Sequence, residues 1–179
     1  MTARHGTDEH RRQVTATVID TEHLVAMGEV AVWAARAERT LAMVVTALIT
    51  TEAATGVTVT NGMSYSALSD LGERLVKQRP EDDQPRAMYL NLLPRMKEAM
   101  AHRNHLLHGE WNQMGEGPAS VTLTRMGGSR ERTYSVDQVE QVAYELASVA
   151  KRLFLLMLII DGALEYDWFP SNAGGGDTW

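Results

Sequence analysis

Two long stretches, residues 20–52 and 135–164, contain no proline and repeat apolar side chains at helical spacing. In the first, Leu24, Met27, Val30 with Ala31, Ala34, Leu41, Val44 with Val45, and Leu48 line one face, behind a cap at Asp20 or Thr21. His23 falls in the first turn, where a histidine is expected to be solvated. The second stretch opens on Ser135-Val-Asp-Gln138, the pattern of a capping box, and continues through Val139, Val142, Leu146, Val149, Leu153 and Leu156. Helices of this length bury their apolar stripes against neighbouring elements, and with further helical segments between them the chain is expected to be all-α.

The intervening sequence fits that class. Thr55-Gly56 and Thr60-Asn61-Gly62 end the first helix, and a second starts at Ser64 or Ser66 with Leu68, Leu71, Leu75 and Val76 inward. After a polar loop at 79–83, Pro85 sits in the first turn of a third helix, which Pro94 is expected to kink or break. Met96, Met100 and Leu107 share a face of its continuation, which stops at Gly109. Residues 119–135 change period: Val121–Met126 and Arg130–Tyr134 flank Gly127-Gly128-Ser129, as in a β-hairpin. The reading is a four- to five-helix up-and-down bundle with a small β-hairpin insertion, preceded by a mobile polar arm (1–18) and followed by a flexible tail (167–179).

With 179 residues, 44% of them apolar, the chain can build one substantial core. It has no cysteine, which removes disulfides and thiolate metal sites. The run Leu153–Ile160 is too short to cross a bilayer and the N-terminus lacks a signal-peptide core, so a soluble cytoplasmic protein with no membrane partner is expected. The net charge of −6 argues against a broad basic surface for nucleic acid. Any RNA chemistry would rest on a small local basic site.

One segment offers such a site. In Arg103-Asn104-His105-Leu106-Leu107-His108, Asn104 and His108 lie four apart and share a helix face. Arg103 falls within the apolar stripe, where a guanidinium needs a carboxylate partner, Glu38 or Glu29, or an anion to bind. A fixed cation, an amide and an imidazole together suit phosphodiester cleavage without a metal. The imidazole can move a proton near neutral pH and the guanidinium can hold a phosphorane.

This segment resembles the motif of the HEPN superfamily: arginine, a polar residue that is often asparagine, then histidine after four to six intervening residues. The resemblance implies a helical domain over residues 19–166 that forms a homodimer with the two motifs in one shared cleft. It also implies a metal-independent endoribonuclease needing no cofactor, of the kind found in toxin–antitoxin, phage-defence or RNA-processing settings, with an antitoxin or regulatory partner. Arg103, Asn104 and His108 would be its catalytic residues, supported by Glu38, with RNA as substrate. Glu110 stands where members silenced by nucleotide addition carry a tyrosine two residues past the histidine, so that form of control is not expected. The alternative is a non-catalytic interaction or regulatory module of the same type.

Other residues have plainer readings beside functional ones. His102, His105 and His108 could suggest a metal cluster, but at spacings of three they fan around the helix, so no metal is expected. Trp33, Trp111 and Trp168 read as packing anchors, with base stacking as the alternative. Met88, Met96 and Met100 read as core filler. Arg125, Arg130 and Arg132 on the hairpin could guide an RNA backbone or simply face solvent.

Overall fold

The computed structural model describes residues 19–50, 52–113, 117–125 and 128–164. The expected arm at 1–18 and the tail at 167–179 lie outside them. The described chain is mainly helical: α1 (Thr21–Ile49), α2 (Ala53–Thr60), α3 (Tyr65–Lys77), α4 (Gln84–His108) and α5 (Val136–Ile160). Strands β1 (Glu110–Asn112), β2 (Ala119–Arg125) and β3 (Gly128–Tyr134) lie between α4 and α5. No described helix is long and apolar enough to cross a membrane.

The chain divides into two compact units, and α1, α4 and α5 contribute to both. The first unit holds the described residues up to Arg39 and Leu92–Ala150. Its core comes from Ala26, Val30, Ala34 and Ala37 of α1, Met96, Met100 and Leu106 of α4, and Val139, Leu146 and Val149 of α5. Three alanines on the buried face of α1 leave room for larger neighbours.

The sheet of this unit is antiparallel in the order β1-β2-β3, one strand more than the expected hairpin. β1 pairs through Trp111 opposite Val121, and β2 pairs with β3 from Ala119 opposite Tyr134 to Arg125 opposite Gly128. A three-residue strand is too short to show an alternating pattern, which is why β1 escapes sequence reading. Gly109 allows the tight passage from α4 into β1, because a Cβ there would collide with Val121 and the His105 carbonyl.

The second unit holds Thr40–Asn91 and the described residues from Lys151 onward. Leu41, Val44, Val45, Leu68, Val76, Tyr89, Leu153, Leu156 and Met157 are among its buried apolar groups. Ser64 caps α3 by accepting from the Ala67 N–H at 3.3 Å. Tyr89 donates to the Ser69 carbonyl at 3.0 Å, in space that only a glycine at 72 leaves open. Asp83 chelates Arg79 at 2.7 and 3.0 Å and accepts from the Arg86 N–H at 3.0 Å. That pairing lowers the Asp83 pKa and raises that of Arg79. The helix α2 takes the place of expected turns. Its Gly56 packs against Thr46, while the Thr60 hydroxyl donates to the Gly56 carbonyl at 3.1 Å.

Two further expectations need correction. α4 is one helix through the exposed Pro94, so of the kink or break expected there the break does not occur, the ring removing one backbone hydrogen bond without entering the core. The expected stripe of α1 is buried at Val30, Ala34, Leu41, Val44 and Val45, and differs at its N-terminal end. His23, Ala26, Val30, Ala34, Ala37 and Leu41 face inward, and Leu24 is 43% exposed.

Candidate functional site

The last turns of α4 place four polar side chains in alternating environments. Arg103 sits among the buried Met96, Met100 and Leu106, as its position in the stripe requires, and its side chain is 22% exposed. Nη1 donates to Asn104 Oδ1 at 2.9 Å and lies 3.4 Å from His108 Nε2. Of the two acids considered, Glu38 is the one paired with it. The separation from Nη2 to Glu38 Oε1 is 3.8 Å, an ion pair too long for a hydrogen bond. The Nε–H is buried with no partner. An orphaned donor of this kind costs about 1–3 kcal/mol, so the guanidinium is held in place with donor capacity unspent.

The structure therefore brings Arg103, Asn104, His108 and Glu38 together in the first unit. His108 is exposed and Asn104 half-buried, so the cluster is open to solvent on the imidazole side. The chemistry available is an imidazole beside a fixed, incompletely satisfied cation. When the imidazole is neutral with Nε2 unprotonated, Arg103 donates into the lone pair a general base would use. An anion that took over the guanidinium would release that lone pair.

His105 has a different role. It is 5% exposed, its Nε2 lies 3.0 Å from the Val121 carbonyl, and its ring packs 6.0 Å from that of Tyr134. His102 points elsewhere again, with Nδ1 3.4 Å from the Tyr134 hydroxyl. His102 and His105 thus share Tyr134, while His108 meets Arg103. Among the described residues no three His, Asp or Glu side chains are grouped as a metal site.

The hairpin arginines are not gathered at the motif. Arg132 lines a cleft of about 660 Å³ beside His102, and the lining includes none of Arg103, Asn104 or His108. On α4 the cleft residues Arg95, Glu98, Ala99 and His102 form one face, with Asn104 and His108 on the opposite side. Arg130 is exposed on β3, and the side chain of Arg125 lies outside the described residues. Sequence reasoning missed this cleft because α4, β3 and α5 all contribute to it.

His23 overturns the expectation of a solvated residue, being 1% exposed. Asp20 caps α1 by accepting from the His23 N–H at 2.8 Å, and the same oxygen lies 2.9 Å from His23 Nδ1. On its other side His23 Nε2 reaches the Tyr134 carbonyl at 3.2 Å, and the ring meets Trp111 edge-on at 5.9 Å. Gln113 completes the join, accepting from the Asp20 N–H at 2.8 Å and donating to Asp20 Oδ2 at 2.7 Å. These bonds, from Gln113 first and then the His23 N–H and ring, lower the Asp20 pKa to about 2.

Trp111 is the packing anchor expected of it, donating to the Leu106 carbonyl at 2.7 Å. Trp33 is half-buried, with the Arg36 guanidinium 5.0 Å above its ring. Trp168 lies outside the described residues.

No protein-family model, no curated protein and no solved structure matches this chain.

Proposed function

We propose that the chain is a HEPN-like, metal-independent endoribonuclease. In this reading an up-and-down bundle pairs two-fold, so that two copies of the Arg103-Asn104-His108 cluster share one RNA-binding groove. The observation that carries it is the contact of an under-satisfied guanidinium with an exposed imidazole, 3.4 Å apart at a helix end.

The chemistry follows from those groups. The phosphate of a scissile bond takes N–H groups of the Arg103 terminal nitrogens and separates the guanidinium from His108 Nε2. One histidine then removes the proton from the 2′-hydroxyl, and the 2′-oxygen attacks phosphorus. The bond to the 5′-oxygen breaks as the second protomer's histidine protonates that oxygen, leaving a 2′,3′-cyclic phosphate and a 5′-hydroxyl. Arg103 stabilises the charge on the phosphorane, and Asn104 holds the guanidinium in line. Glu38, at 3.8 Å, orients the arginine without neutralising it by a direct hydrogen bond. A toxin or defence setting, with an antitoxin that masks the groove, is part of the same reading.

The test is RNA cleavage by the purified chain in EDTA, with the product ends identified. Cyclic-phosphate ends that disappear in Arg103→Ala and in His108→Ala support it. A dimer inert on structured and single-stranded RNA in EDTA would leave the cluster as part of a non-catalytic interaction module. The Arg103–Glu38 ion pair fits that second reading, in which Arg103→Ala changes the melting temperature instead.

A further inference from the structure

The cleft on the other face of α4 has a lining with a pattern of its own. Its apolar floor is Ala99, Val142 and the Tyr134 ring, which meets His102 edge-on at 6.4 Å. His102 has its pKa lowered, chiefly by burial and next by nearby Arg132, against the opposing effect of Glu98. The ring therefore has both a cation and an anion in its surroundings. Neither Glu98 nor Arg132 has an ion-pair partner among the described residues, and both are exposed. The other two charges, Arg95 and Glu145, pair with each other at 2.8 Å.

Two amides on α5 complete the pattern. Gln138 accepts from the Ser135 N–H at 2.9 Å through Oε1, which leaves its NH₂ group free to donate. Gln141 donates through Nε2 to Glu145 at 3.2 Å, which leaves its carbonyl free to accept. Their orientations follow from their partners, since a backbone N–H only donates and a carboxylate only accepts. Three residues apart on one helix, they present a donor and an acceptor on neighbouring positions.

We propose that this cleft binds a short zwitterionic peptide. Glu98 takes the ammonium end, Arg132 takes the carboxylate end, and Gln138 and Gln141 take a peptide C=O and N–H between them. The cleft volume of about 660 Å³ suits a ligand of a few residues. The balance of one free anion and one free cation is unsuited to a polyanion, so a nucleotide is a poorer fit. The site is independent of the proposed RNA chemistry, which uses none of these side chains.

The test uses the full chain, ¹⁵N-labelled, titrated with trialanine, N-acetyl-trialanine, trialanine amide and uridine 5′-monophosphate. Trialanine is expected to shift the His102 and Tyr134 amide signals saturably, and blocking either end to weaken binding about tenfold. Glu98→Gln should abolish the penalty of acetylation alone, and Arg132→Gln the penalty of amidation alone. Both side chains are exposed, and an unchanged spectrum of each free variant verifies the fold. Absence of saturable shifts with trialanine up to about 10 mM overturns the proposal. So does binding indifferent to the blocked ends, or tighter binding of the nucleotide.

Discussion

Within two helical turns, α4 carries histidines of opposite character. His105 faces β2, buried, with its ring nitrogen 3.0 Å from the Val121 carbonyl and Trp111 sealing the same corner through its bond to Leu106. His108 faces solvent and meets the edge of a guanidinium at 3.4 Å. The first corner has short hydrogen bonds and aromatic neighbours; the second has one short bond, from Arg103 to Asn104, longer contacts to His108 and Glu38, and a buried Nε–H without a partner. Most buried polar groups are paired, and Arg103 Nε is an exception, as is Ser69 Oγ in the second unit.

That contrast can be broken by moving stability and cleavage separately. The largest expected effect is on the RNA cleavage proposed for the motif. Arg103→Ala should reduce it about 10²–10³-fold and His108→Ala about 10²–10⁴-fold, with melting temperatures close to that of the parent. Equal loss of activity and of folded protein in both variants would erase the distinction.

The opposite pattern is expected at the sealed corner. Trp111→Ala should destabilise the fold by about 3–5 kcal/mol in denaturant unfolding, because it empties a packed site and strips the Leu106 carbonyl of its donor. Cleavage measured where the variant remains folded should be retained.

A smaller effect concerns pH. The Asp20 carboxyl is lowered from 3.8 to about 2 in the fold, so its charged form is favoured there over the unfolded chain. The stabilisation is present above about pH 4 and is lost as the pH falls towards 2. Asp20→Asn should flatten the decline of melting temperature across that interval; an unchanged slope would show that the capping carboxylate is not the group responsible. The smallest expected effect is at Arg95 and Glu145, each about one-third exposed. A double-mutant cycle there should give about 0.2–1 kcal/mol.

What the sequence made legible was local. The capping box at Ser135 forms as expected, with Gln138 accepting from the Ser135 N–H and Ser135 accepting from the Gln138 N–H. Asp20 and Ser64 likewise start their helices through bonds that span three residues. The Arg103, Asn104 and His108 side chains were predicted to converge because one helix carries all three. Failures came where distant chain had to decide. His23 rather than Leu24 turns inward because the Tyr134 carbonyl waits for it, 111 positions later. Leu106 is fully buried and Leu107 is not, a one-residue difference that periodicity around a wide stripe does not resolve. The Ala53–Thr60 helix, rich in threonine and valine, has little helical propensity of its own and depends on Gly56 meeting Thr46.

The reciprocal bonds between Asp20 and Gln113 join points 93 residues apart. Such a clasp closes only once the segments between have been brought together, so its entropy cost falls late in the route to the native state. Loosening it should act on how long the native state survives, quickening escape from it while leaving the speed of its assembly almost untouched.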